Sequence, residues 1–82
     1  MKTKRKKLEP LAIRFAATAL ILAEGSTTTL DVKNFLRQRG YEARQADISQ
    51  WMLVIGLWEN WSIQSNGTHR IYNFPTFRPS LQ

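Results

Sequence analysis

Residues 45–56 constrain the fold most, because they combine a helical apolar pattern with polar side chains elsewhere. Apolar residues recur at Ile48, Trp51, Met52 and Ile55, the spacing of one helix face. We predict a helix over 45–56 with these four side chains in the core and Gly56 as its C-terminal stop. Small polar side chains at the start of such a helix suit hydrogen bonding to base edges in a DNA major groove, the alternative being plain polar outer positions. The candidate base-reading residues are Gln45, Ser49 and Gln50.

The length and composition of the chain allow one small domain and argue against several classes of protein. Its 82 residues include no cysteine, so neither a disulfide framework nor a thiolate metal site is available. One histidine and six scattered acidic residues form no catalytic or metal-binding set, so we predict neither an enzyme nor a cofactor. The net charge of +6 favours a polyanionic partner, most often nucleic acid, over a basic protein without one.

The N-terminal residues are strongly basic. Residues 1–7 hold five of the twelve Lys and Arg residues and predict a flexible arm that lies along phosphates, a solvated tail being the alternative. The apolar run that follows resembles a signal peptide, but Arg14 interrupts it and it is too short to cross a bilayer. We therefore expect a cytoplasmic protein without a membrane segment, secretion being the alternative. The candidate phosphate contacts in the arm are Lys4, Arg5, Lys6 and Lys7.

Residues 8–24 predict a first helix with apolar side chains on two faces. An ordinary three-helix domain buries only one face of such a helix. The excess indicates either a central, buried position or a surface for self-association, so a homodimer through residues 8–24 is one hypothesis. One face carries Leu8, Leu11, Ala12, Phe15, Ala19 and Leu22, and the other carries Ile13, Ala17, Leu20 and Ile21.

Residues 30–39 predict a second helix, between a run of hydroxyl residues and Gly40. Thr29 is its expected N-cap. Thr28 is a candidate phosphate contact at the helix N-terminus, capping alone being the alternative. Residues 41–44 then form the turn of a helix-turn-helix, and Arg44 lies where a phosphate contact is expected just before the second helix of that motif.

Residues 61–74 predict a β-hairpin, because Asn66 and Gly67 separate two β-prone runs. A two-residue turn would place the apolar side chains of the first strand on one face with Arg70 and Tyr72. A three-residue loop ending in Gly67 would group them with His69 and Ile71 instead, and we favour it because it keeps apolar residues together.

Three helices followed by a hairpin is the order of a winged helix-turn-helix, with the hairpin as the wing. We therefore predict a mainly α (α+β) domain over residues 8–75, between the basic arm and a tail of residues 76–82. The chain resembles the DNA-binding domain of bacterial arginine repressors over residues 27–75. The matching stretches are Asp31-Val-Lys-Asn-Phe-Leu-Arg-Gln-Arg-Gly-Tyr, Gln45-Ala-Asp-Ile-Ser-Gln-Trp-Met and Ile71-Tyr-Asn-Phe-Pro.

The resemblance implies that Gln45, Ser49 and Gln50 face DNA. Gln50 stands where that family usually carries an arginine, which replaces an expected guanine contact by a side chain suited to adenine. Arg70, near the wing tip, would reach a backbone phosphate or the minor groove. Only the DNA-binding domain is matched, so we expect neither arginine sensing nor the repressor's hexamer.

The sequence therefore predicts a small transcriptional regulator that binds double-stranded DNA. One alternative is a winged helix used for contact with a protein partner, which the apolar excess of the first helix favours. Another is a binder of single-stranded nucleic acid or RNA that stacks bases on exposed tryptophans. We expect instead that Trp51, Trp58 and Trp61 form one aromatic cluster in the core.

Overall fold

The computed structural model describes residues 6–75, which form three helices and a three-stranded antiparallel sheet with strand order β1-β3-β2. These elements confirm the predicted α+β class, and their arrangement has the layout of a winged helix. Lys4, Arg5 and the tail of residues 76–82 lie outside the described residues. The elements are α1 (Pro10–Glu24), β1 (Thr27–Thr28), α2 (Thr29–Gln38), α3 (Gln45–Trp58), β2 (Ser62–Ser65) and β3 (Arg70–Asn73).

One apolar core holds the three helices and the sheet together. Each helix contributes side chains spaced three or four residues apart, which is why a single face of each helix is buried. Burial of each large apolar side chain stabilises the folded state by about 1.5–3 kcal/mol. The core side chains are Ile13, Ala16, Ala17, Ile21, Val32, Leu36, Ala43, Ile48, Met52, Ile55, Trp61 and Tyr72.

α1 begins at Pro10, where the missing N–H costs nothing because the first turn has no helical acceptor. It ends at a left-handed Gly25, whose N–H donates to the Ile21 carbonyl oxygen at 2.8 Å. One of its two apolar faces is buried and the other is not. Because Leu11, Phe15 and Leu22 remain 71%, 67% and 73% exposed, a central position for α1 within the single chain is wrong.

The threonines before α2 have two roles that the sequence pattern did not distinguish: one caps the helix, and two form a short strand. Thr28 is the N-cap, and its Oγ1 accepts a hydrogen bond from the Asp31 N–H at 3.2 Å, so the predicted cap at Thr29 is wrong. Thr27 and Thr28 also form the unpredicted strand β1, which pairs with Tyr72 and Ile71 of β3. A two-residue strand leaves too short a sequence pattern to be recognised.

α3 extends two residues beyond its predicted end, because Gly56 lies inside the helix rather than at its C-terminus. A Cβ atom at this position would lie 3.1 Å from Ile63 Cδ1 and 3.6 Å from Tyr72 Cδ2. The glycine therefore allows the hairpin to pack closely on α3. The chain reverses only after Trp58, at Asn60, which has a positive φ of 59°.

The hairpin register differs from the one that we favoured. Ile63 pairs with Tyr72 and Ser65 with Arg70, so the grouping of the first strand with His69 and Ile71 is wrong. Tyr72 decides the register, because its ring is fully buried and packs with Ile63 against α3.

Asn66 closes the turn between β2 and β3. Its Oδ1 accepts hydrogen bonds from the N–H groups of Thr68 and His69, at 3.1 and 3.0 Å. Gly67 adopts a φ of 96°, which residues with a side chain rarely adopt. The Asn-Gly signal thus correctly located the turn without specifying its length.

The three tryptophans do not form one cluster, contrary to expectation. Trp61 is buried and packs on Phe74 with ring centroids 6.2 Å apart. Trp51 is 39% exposed and Trp58 is 84% exposed. The core face of α3 runs through Ile48, Met52 and Ile55, and both exposed tryptophans fall beside it.

The start of the described chain lies against the turn between α2 and α3. The Lys6 N–H donates to the Gly40 carbonyl oxygen at 2.7 Å, and the Lys6 carbonyl oxygen accepts from the Glu42 N–H at 2.9 Å. The Lys6 ammonium lies 5.2 Å from the centre of the Tyr41 ring. Within residues 6–75, no helix is both long and apolar enough to cross a membrane.

Candidate nucleic-acid interface

An open groove of about 280 Å³ lies between the first turns of α3 and the β2–β3 hairpin, and we call it the α3–hairpin groove. It brings together residues that are far apart in the sequence, because Gly56 lets the hairpin pack against the same helix. Polar side chains and turn backbone make up its lining. The residues are Thr29, Gln45, Ser49, Ser65, Gly67, Thr68, His69 and Arg70.

Arg70 is the cationic side chain of this groove. Its Nη1 donates to Ser49 Oγ and to the Tyr72 hydroxyl, each at 3.3 Å. Two N–H donors are used in this way, and within residues 6–75 the Nε and Nη2 groups make no hydrogen bond. Because Arg70 is half-buried at the start of β3, its guanidinium is held beside α3 rather than at the wing tip.

Ser49 and Gln45 lie on the helical wall of the groove. Ser49 is half-buried and accepts a hydrogen bond from Arg70, which leaves its own O–H as a donor. Gln45 is exposed at the first position of α3, and its Oε1 accepts a hydrogen bond from Lys33 Nζ at 3.3 Å. These two candidate base-reading residues are therefore brought together with two cations.

Gln50, the third candidate base reader, is exposed on α3 and lines neither the α3–hairpin groove nor the groove on the other side of the helix start. It follows Ser49 by one residue, about 100° further around the helix, which places it on the outer surface. A ligand lying along α3 would meet Gln50 beside the groove rather than within it.

A second groove, of about 400 Å³, flanks the start of α3 on the side of the N-terminal arm. Lys7 and Arg44 line it, and both are exposed. Glu42 and Asp47 line it as well, so the two positive charges are balanced by two negative charges. The positive electrostatic potential around the candidate phosphate contacts on this side is therefore weaker than that around Arg70 in the α3–hairpin groove.

Thr28 is not among the groove residues. Its hydroxyl oxygen already accepts the Asp31 N–H, and its backbone pairs with Ile71. Its neighbour Thr29 lines the α3–hairpin groove instead. The capping alternative thus describes the contacts that Thr28 makes in this structure.

Sequence reasoning missed Lys33 and the turn residues Thr68 and His69. The Thr68 hydroxyl lies 3.0 Å from His69 Nδ1, and Asn66 Nδ2 lies 3.2 Å from His69 Nε2. The Asn-Gly turn signal marked the tip but not the direction of its side chains. Lys33 meets Gln45 only because α2 and α3 cross, which no local pattern encodes.

These contacts define the candidate site: a polar groove with an anchored arginine beside an exposed helix start. Among residues 6–75, no group of three or more histidine, aspartate or glutamate side chains is arranged to hold a metal ion. No protein-family model, curated protein or solved structure matches this chain.

Proposed function

We propose that this protein binds double-stranded DNA, with α3 in the major groove and the β2–β3 hairpin as the wing, and acts as a transcriptional regulator. The observation that carries the proposal is the link from Arg70 to Ser49, which holds a cation in a polar groove beside exposed Gln45. The resemblance to the DNA-binding domain of arginine repressors supports the same reading.

The proposed contacts divide into two kinds. Lys6, Lys7, Arg44 and Arg70 neutralise phosphates and supply affinity that falls with salt. Lys4 and Arg5, outside the described residues, belong to the same set. The exposed amides of Gln45 and Gln50 and the free O–H of Ser49 read base edges.

The test is a fluorescence-anisotropy titration of a labelled duplex of random sequence, about 20 base pairs long. It is repeated at several salt concentrations, with the matching single strand in parallel. Steeply salt-dependent duplex binding is expected, with a slope near 0.9 per phosphate contact in a plot of log affinity against log salt. Absence of duplex binding at low salt would overturn the proposal.

Sequence preference is tested after selection of a favoured site from a random pool. Gln50→Ala should lose about 1–3 kcal/mol of discrimination at one base position, with an unchanged salt slope. Gln38→Ala is the matched control, because Gln38 is also exposed but lies at the end of α2. An unchanged preference in Gln50→Ala would remove this side chain from base reading.

A second candidate function is the binding of single-stranded nucleic acid, which the exposure of Trp58 favours most. This side chain is 84% exposed, as a stacking platform for bases requires. If that function is the right one, single strands should bind as tightly as duplexes and quench tryptophan fluorescence, and Trp58→Ala should lose both effects. Single-strand binding that is absent, or that is unchanged in Trp58→Ala, would exclude this candidate.

A further inference from the structure

The outer surface of α1 carries a line of side chains directly opposite its buried face, and we call this line the α1 stripe. It consists of Leu11, Phe15, Thr18 and Leu22, separated by four, three and four residues. With about 3.6 residues per turn, this spacing keeps all four on one side over three turns. The first three of these residues, with Arg14, line a shallow groove of about 290 Å³.

Exposure of the α1 stripe is unusual for a helix that is also apolar on its core side. Its two leucines and its phenylalanine are each about two-thirds exposed or more. A helix that is apolar on both sides is normally covered on both, and an exposed apolar patch on a small domain marks a contact surface.

The charge around the stripe fits a second copy of the same chain. From its N-cap to its last residue, α1 carries one arginine and two glutamates (Arg14, Glu9 and Glu24), a net charge of −1 in a chain of +6. Arg14 is paired within its own chain, since its Nε lies 3.0 Å from Glu59 Oε2. Two copies can therefore meet at α1 without the repulsion that their basic surfaces would cause. A nucleic acid would find little positive charge there.

The spacing of the stripe residues, four, three and four, is the same in both directions from its centre. Leu11 and Leu22 lie at equal distances from the midpoint, as do Phe15 and Thr18. A two-fold axis needs a surface that matches itself in this way. We propose that the protein forms a homodimer in which two α1 helices pack antiparallel, Leu11 against the partner's Leu22 and Phe15 against the partner's Thr18. The large ring then lies opposite the smaller threonine, as in knobs-into-holes packing.

The exposed area indicates how strong this dimer is. The three apolar side chains of the stripe offer on the order of 400 Å² per chain, about half of what a standard interface buries on each partner. We therefore expect a weak dimer, with a dissociation constant in the micromolar to high micromolar range. It follows from α1 alone and stands independently of the DNA-binding proposal.

The experiment is sedimentation equilibrium of the full chain, without nucleic acid, from about 1 to about 500 µM. Wild type is expected to dimerise in this range. Leu11→Glu and Leu22→Lys should each raise the dissociation constant about tenfold or more, because each places a charge at the apolar contact. The matched control is Leu57→Glu, since Leu57 is 75% exposed on α3, close to the 73% of Leu22.

Mixing the two variants tests the antiparallel register. In a mixed dimer, the glutamate at position 11 of one chain faces the lysine at position 22 of the other. The dissociation constant of the mixture should therefore fall back towards the wild-type value. A parallel pair would place each charge opposite leucine, and association would stay weak.

A wild-type monomer at the highest concentration would overturn the homodimer, as would an equal effect of Leu57→Glu. Association that does not return on mixing would overturn the antiparallel register. Circular dichroism confirms that each variant is folded, and Phe15→Gln replaces any variant that is not, with the same expected weakening.

Discussion

The α3–hairpin groove and the α1 stripe are two exposed surfaces of opposite chemistry. In the groove, side chains from separate elements are held by hydrogen bonds, as Arg70 is by Ser49 and Tyr72. In the stripe, side chains of one helix are apolar and exposed, with Phe15 at 67%. On its groove side, α3 therefore presents donors and acceptors suited to a polar ligand, whereas the outer face of α1 presents a surface that is stabilised by losing contact with water.

The two surfaces also depend on the fold to different degrees. The groove exists only while the hairpin packs on α3, because each contributes one wall. The stripe needs only a helical α1. Changes that displace the hairpin should therefore abolish the proposed DNA binding and leave self-association intact, which makes the two proposals separable by mutation.

Gly56→Val should have the largest effect. The new side chain would enter the contact of Gly56 with Ile63 and Tyr72, where even a Cβ atom would lie 3.1 Å from Ile63 Cδ1. We expect a loss of about 2–3 kcal/mol in the free energy of unfolding, together with loss of duplex binding. Urea unfolding followed by circular dichroism measures this loss. Ala46→Val, at an exposed position of the same helix, is the control and should cost less than about 1 kcal/mol.

Arg70→Ala should have the next largest effect, and only at the groove. The salt slope of duplex binding should fall by about 0.9, because one phosphate contact is lost. The buried Tyr72 hydroxyl would also lose its donor, at a cost of about 1–2 kcal/mol of stability. Arg39→Ala is the control, since Arg39 is exposed and stacks on Phe35 with 3.7 Å between the guanidinium carbon and the ring centre. An unchanged slope in Arg70→Ala would contradict its role, and a change in self-association would contradict the separation of the two surfaces.

Thr28→Ala tests the N-terminal cap of α2, which belongs to neither surface. The Asp31 N–H would lose its acceptor at the start of α2, so stability should fall by about 1 kcal/mol. Thr28→Ser keeps the hydroxyl and should lose at most a few tenths of that amount. Thermal unfolding of both variants measures the difference. If Thr28 instead binds phosphate, duplex affinity would fall in the alanine variant as well, with an unchanged salt slope because the hydroxyl carries no charge.

Tyr72→Phe should have the smallest effect of the four. It keeps the buried ring and removes only the hydroxyl that accepts from Arg70. We expect about 0.5–1 kcal/mol of lost stability and an unchanged salt slope, because Ser49 still holds the guanidinium. Urea unfolding and duplex titration measure the two quantities. A fall in slope as large as that of Arg70→Ala would show that the Tyr72 hydroxyl alone positions the arginine.

Local patterns in the sequence were sufficient for the three helices, the hairpin and their order, but not for strand β1. The apolar spacing of Ile48, Trp51, Met52 and Ile55 predicted α3, although Trp51 is exposed rather than in the core as predicted. Asn66-Gly67 predicted the hairpin turn. These signals work because helix periodicity and turn conformation depend on neighbours within a few residues. The exposed polar positions of α3, Gln45 and Gln50, were predicted for the same reason.

The tertiary structure alone decided what depends on contact between distant segments. Whether Gly56 ends a helix or admits a hairpin depends on Ile63 and Tyr72, and whether Trp58 is core or surface depends on where the hairpin packs. The link between Ser49 and Arg70 joins residues 21 positions apart. Such contacts are set by close packing of the whole core, in which each side chain fills the space that the others leave, and no short stretch of sequence specifies that space.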